Sequence, residues 1–134
     1  MALLTDVSTY LVATVTDVTL VVGTNLFLGR LPEDPDTCVA IYETMGQSPD
    51  NTFGGSTLPV FANPRIQVVA RATAYADSAS LADDIWQQLQ KVDNETLTST
   101  RYQRIEGVQS PFALDRDARE RMVTVCNYQV QKTT

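Results

Sequence analysis

The stretch Arg65-Ile66-Gln67-Val68-Val69-Ala70-Arg71 decides the architecture, because its apolar residues recur with period two. Ile66, Val68 and Ala70 fall on one face of an extended chain, and Arg65, Gln67 and Arg71, joined by Val69, fall on the other. Downstream of Tyr75 the period changes. Ala79, Ala82, Ile85, Trp86, Leu89 and Val92 recur at helical spacing, while Asp83, Asp84, Gln87, Gln88 and Lys91 cover the opposite face. Pro59 to Val92 therefore reads as a buried strand running into an amphipathic helix. The small residues Ala79 and Ala82 let that helix sit close to a sheet, and Ile85, Trp86 and Leu89 fill the space beyond, with Trp86 read as core.

Working outward, Thr37 to Thr44 is a second strand, with Val39 and Ile41 on one face and Cys38, Ala40 and Tyr42 on the other. Both faces are mostly apolar, which places it centrally in the sheet. Leu20–Val22 and Leu26–Leu28 are short apolar pieces closed by Gly23 and Gly29, and Pro32–Asp36 is an acidic turn that continues neither. Nearer the N-terminus, Thr5 or Asp6 caps a first helix with Val7, Tyr10, Leu11 and Val15 on one stripe. Gly46–Leu58 is rich in turn residues and carries no period, so it reads as a long mobile loop. After the central helix, Asp93-Asn94-Glu95 is a stop. Tyr102–Val108 and Arg121–Val130 are two further strands joined by residues 109–120, and the polar tail 131–134 frays. The expectation is one domain over residues 1–134. Its class is α+β, a mostly antiparallel sheet of about four strands packed against an N-terminal helix and the central amphipathic helix.

A chain of 134 residues with 43% hydrophobic and 19% charged residues is long and apolar enough to bury a core. Its two cysteines, Cys38 and Cys126, sit in apolar strand patterns and read as small buried residues in a reducing compartment. The first residues have no basic region and no cleavage-like site, so no secretory signal is expected. No apolar run approaches the roughly 18 residues of a membrane span.

The net charge of −6 is unevenly spread: residues 1–58 carry seven acids and one base, and residues 59–134 carry nine of each. Arg101, Arg104, Arg116, Arg119 and Arg121 crowd together near the C-terminus. An acidic half and an arginine cluster on one domain suit contacts between copies. The interface residues expected on this ground are Glu33, Asp34, Asp36 and Asp50 with those five arginines, together with Phe53 in the long loop. Overall acidity argues against nucleic-acid binding, which needs a basic surface to neutralise phosphates.

Enzyme chemistry finds little support. The chain has no histidine, so Ser–His and Cys–His pairs are impossible within it, and the commonest metal ligand is absent. Gly54-Gly55 lacks the Gly-Lys-Ser/Thr and following helix of a phosphate-binding loop. Asp115-Arg116-Asp117 and Asp34-Pro35-Asp36 are read as solvated acids rather than cation ligands. No catalytic residue, metal or cofactor is expected.

The order of weak motifs resembles a known family. Phe27-Leu28-Gly29-Arg30-Leu31-Pro32 precedes Pro35-Asp36, Val39-Ala40-Ile41-Tyr42-Glu43-Thr44, a glycine–proline loop, and then Pro64-Arg65-Ile66-Gln67-Val68 with Arg71, Tyr75, Ala79, Ala82, Ile85 and Leu89. From about Val7 to Val130 the chain is similar to the tail terminator proteins of long-tailed bacteriophages, with Met45 standing where a second glycine is expected. The resemblance implies a structural virion protein, assembled in the host cytoplasm and placed at the tail–neck junction. It implies a homomeric ring, typically of six copies, seated on the tail tube protein and facing a neck connector. DNA passes through the hole without specific binding. Another neck or head-completion ring, or a small-molecule-binding α+β domain, is the alternative.

Overall fold

The computed structural model describes residues 3–51 and 59–133. Two helices lie on one face of a mixed seven-stranded sheet. The elements are α1 (Leu3–Thr14), β1 (Leu26–Leu28), β2 (Cys38–Asn51), β3 (Pro59–Ala72), α2 (Tyr75–Gln90), β4 (Asp93–Leu97), β5 (Thr100–Gly107), β6 (Phe112–Ala113) and β7 (Met122–Thr133). Strand order is β1-β2-β3-β7-β5-β4, and the two-residue β6 also pairs with β7. Only β1 with β2 is parallel; every other named pair is antiparallel. The α+β class holds, with seven strands rather than about four.

The period-two reading of β3 carries through to the packing. Ile66, Val68 and Ala70 join the main core with Val39 and Ile41 of β2, Leu81, Ile85 and Leu89 of α2, and Val7 and Leu11 of α1. On the other face Val69 meets Ala40 and Val125, with Leu31, Tyr42 and Val123 around them. Cys38 and Cys126 are buried free thiols. Trp86 packs on the edge of the main core and is half-buried, so it fills a margin rather than the centre.

Polar pins fix the helices on the sheet. Ser78, fully buried in the first half of α2, bonds the Ala70 carbonyl at 3.0 Å and the Thr124 hydroxyl at 2.7 Å. Tyr10 of α1 donates to the Gln88 carbonyl at 2.7 Å, and the Thr16 and Asp17 amides donate to the Asp84 carboxylate at 3.0 and 2.9 Å. Asp6 does not cap α1 from outside. It lies in the helix's first turn, fully buried, where one oxygen accepts from the Tyr102 hydroxyl at 2.8 Å and the other has no partner.

Three expectations are corrected. The stop at Asp93-Asn94-Glu95 begins edge strand β4, whose outward residues need no apolar pattern. The polar tail does not fray before Thr133: Lys132 and Thr133 pair with Ala62 and Phe61, extending β7. The expected loop from Gly46 is strand as far as Asn51, and β2 and β3 form a long hairpin with register shifts after Thr44, Gln47 and Asp50. Those irregularities accommodate Gly46 and Pro49 on an arm that β1 does not reach, so a missing amide donor breaks no ladder on that side. The rest of the expected loop, residues 52–58, lies outside the described residues.

Candidate functional site

The acidic turn and part of the arginine cluster meet within one chain. Arg71 is 2% exposed and spends its donors on backbone carbonyls, those of Pro35 at 2.7 Å, Asp36 at 3.2 Å and Glu33 at 3.3 Å. Arg121, 4% exposed, pairs with Asp117 at 2.9 Å and Asp36 at 3.3 Å and also donates to the Glu33 carbonyl. Arg119 reaches Asp34 at 3.2 Å and Glu33 at 3.4 Å from the surface. Three guanidinium groups thus clamp residues 33–36 over the sheet face away from the helices. Backbone amides of Arg121 and Arg119, then the Arg121 guanidinium, hold the Asp117 carboxyl below its usual range, and the Asp34 hydrogen bond raises the Arg119 guanidinium.

The clamp changes what the expected interface residues are available to do. Glu33, Asp34 and Asp36 are matched internally by Arg119 and Arg121, over sequence separations too long for local spacing to show. Arg104 is exposed and pairs with Glu106 at 3.1 Å along the same strand. Arg101 and Arg116 are exposed too. Asp50 accepts from the Gln131 amide at 3.1 Å on the hairpin arm, and Phe53 lies outside the described residues.

Beyond the clamp the same sheet face is a ladder of amides. Gln67 donates to Asn127 at 3.2 Å, Arg65 to Gln129 at 2.8 Å, and Gln129 onward to the Asn63 carbonyl at 3.1 Å. The partners are neutral apart from Arg65, so the face is polar without strong charge. The helix face is the acidic one, carrying exposed Asp17, Asp77 and Asp83.

Two features escaped the sequence reading. A groove of about 530 Å³ runs beside α2, lined among others by Tyr75, Ala79, Asp83, Trp86, Pro111 and Ala113. The indole N–H of Trp86 is buried without an acceptor, and a Cβ at Gly107 would stand 2.7 Å from that nitrogen. Tyr75 on the groove's rim is exposed, and Val108, Phe112 and Leu114 in the segment after β5 are exposed as well. The signal was present: Val108, Phe112 and Leu114 are apolar residues in a stretch with no period to bury them. Among the described residues no group of three or more His, Cys, Asp or Glu is placed to hold a metal ion, and no helix is long and apolar enough to cross a membrane.

No curated protein sequence matches the chain. The family profile described as bacteriophage tail terminator protein matches residues 13–134, which takes in every strand and the central helix. With nearly the whole fold inside that match, the chain belongs to the bacteriophage tail terminator family, a family of structural tail proteins.

Proposed function

We propose that this chain forms a homomeric ring, of six copies, that caps the last ring of a tail tube. The cap ends tube polymerisation and presents the surface to which the head's neck connector joins. The observation that carries the proposal is the family match over residues 13–134. A tube of stacked identical rings always offers the same unsatisfied surface at its growing end. A terminator needs one face that matches this surface and another that does not reproduce it. The two sheet faces of this domain differ in that way, one under the acidic helix α2 and the other an amide ladder beside an arginine clamp. A net charge of −6 suits a ring that DNA threads without sticking, since like charges avoid adhesion.

Within the ring or against its partners, Arg101, Arg104 and Arg116 are proposed as intermolecular contacts, because they remain exposed. Glu33, Asp34, Asp36, Arg119 and Arg121 are assigned to holding the fold. The hairpin arm, with Asp50, is proposed to reach the tube or the neck, and Met45 on the arm is 92% exposed. Phe53, outside the described residues, is proposed as a partner contact on the sequence reading alone. Adding the purified protein to polymerising tail tubes at about one ring per tube should stop growth and narrow the length distribution. Tubes that lengthen at an unchanged rate would overturn the proposal.

A further inference from the structure

Every residue of β2 from Glu43 to Asp50 is exposed, although the strand runs unbroken through them. On one side β1 stops at Leu28, opposite Ile41, so this half of β2 has β3 as its only strand partner among the described residues. That pairing is irregular. From Thr44 to Gln47 β2 spends three residues against the two from Arg65 to Asn63, and from Gln47 to Asp50 it again spends three against two. Such extra residues bend a strand and leave backbone groups outside the ladder. β3 is held differently: it pairs with β7 in one register from Phe61–Thr133 to Ala72–Met122. The arm therefore combines a firm strand with a bent, one-sided one, and its direction depends on what ties the second to the first.

Side chains supply that tie. Asn63 of β3 donates to the Ser48 carbonyl at 2.9 Å, within the second register shift. Gln129 of β7, oriented by Arg65 at 2.8 Å, donates to the Asn63 and Pro64 carbonyls at 3.1 and 3.2 Å. Gln131 lies two residues on, hence on the same face, and reaches across β3. Its amide is 3.1 Å from the Asp50 carboxylate and 3.4 Å from the Asn63 side-chain oxygen. Among the described residues this is the one hydrogen bond from β7 to β2. β5 backs Gln131 from the other side, with Arg104 opposite it in the ladder. Gly46 adds a steric limit at the first shift. A Cβ there would stand 2.7 Å from the Pro64 Cα and collide with the Asn63 carbonyl, so β2 lies as near to β3 as the backbones allow.

We propose that Gln131 is a positioning residue for capping: it fixes the angle of the hairpin arm, so that every copy in the ring presents its arm to the tube in the same direction. The role rests on the capping reading above. Preset arms bind without first being ordered, and several engage together. The test compares Gln131→Ala and Gln131→Lys with the unaltered protein on polymerising tail tubes. Alanine removes the donor, and lysine restores one for Asp50. Gln131 is half-buried, so Gln131→Ala should lower Tm by no more than about 4 °C. It should speed hydrogen exchange over residues 44–50, and about tenfold more protein should be needed to stop tube growth. Gln131→Lys should recover both. Capping by Gln131→Ala at the unaltered concentration would overturn the positioning role and leave capping standing. So would a capping loss with unchanged exchange over residues 44–50, or one that lysine does not recover, since Gln131 would then touch the tube or a neighbouring copy itself. Tubes that grow on past the unaltered protein would overturn capping, and the positioning role with it.

Discussion

Replacing Arg121 by methionine tests whether the arginine cluster serves the fold or the assembly. Methionine keeps the apolar stem and removes the charged head, which loses the ion pairs to Asp117 at 2.9 Å and Asp36 at 3.3 Å and the bond to the Glu33 carbonyl. Breaking a fully buried pair from one side costs about 3–5 kcal/mol, because the remaining charge is stranded. Here the stranding is partial: the Arg121 side chain is 5% exposed, but Asp36 is 50% and Asp117 25% exposed, so both carboxylates regain water. The expected loss is therefore smaller, about 2–3 kcal/mol from charge-assisted hydrogen bonds. For a chain of this size that lowers Tm by about 10 °C. Thermal and denaturant unfolding measure the loss. A double-mutant cycle with Asp36→Asn should return a coupling of about 1 kcal/mol or more. Unchanged stability together with weakened assembly would refute the reasoning, since Arg121 would then act between chains.

Tyr102→Phe leaves the buried Asp6 carboxyl with no partner and should cost about 1–3 kcal/mol, whereas Tyr128→Phe removes a buried hydroxyl that already lacks one and should be near neutral or stabilising. Equal losses in urea unfolding would contradict the assignment. Burial, aided for Tyr102 by Asp6, raises both phenols above their ordinary value. The folded chain therefore keeps protons that the unfolded chain releases. Stability is full below about pH 10 and falls above it, by up to about 1.4 kcal/mol per pH unit for each tyrosine. A stability curve that stays flat to pH 11 would contradict this.

The sequence was legible wherever one residue's neighbours determine its role. The alternation in β3 and most of the α2 stripe (Ala82, Ile85, Leu89 and Val92) translated into the observed core, because periodicity reports burial directly. Ala79 lines the groove instead, and the buried Ser78 and Leu81 lie off the expected stripe. The two-sided apolar pattern of residues 38–42 likewise matched a strand paired on both sides, by β1 and β3. Strands with no buried face stayed hidden. β4 exposes Asp93, Asn94, Glu95 and Thr96, and the outer part of β2 carries Gly46 and Pro49, so both read as breakers. The charge split was visible, but not its resolution: Arg121 and Asp36 lie 85 residues apart in the chain and meet only once β2, β3 and β7 are side by side. The groove beside α2 depends on the same tertiary placement, which brings residues 75–86 against residues 110–113.

Electron microscopy of a lysate from phage lacking this protein tests the central claim most directly. With no cap on the growing end, tubes should run past their normal length or end raggedly and remain unjoined to filled heads, and supplying the protein should restore joining. Tails of normal length already attached to heads in that lysate would contradict the account.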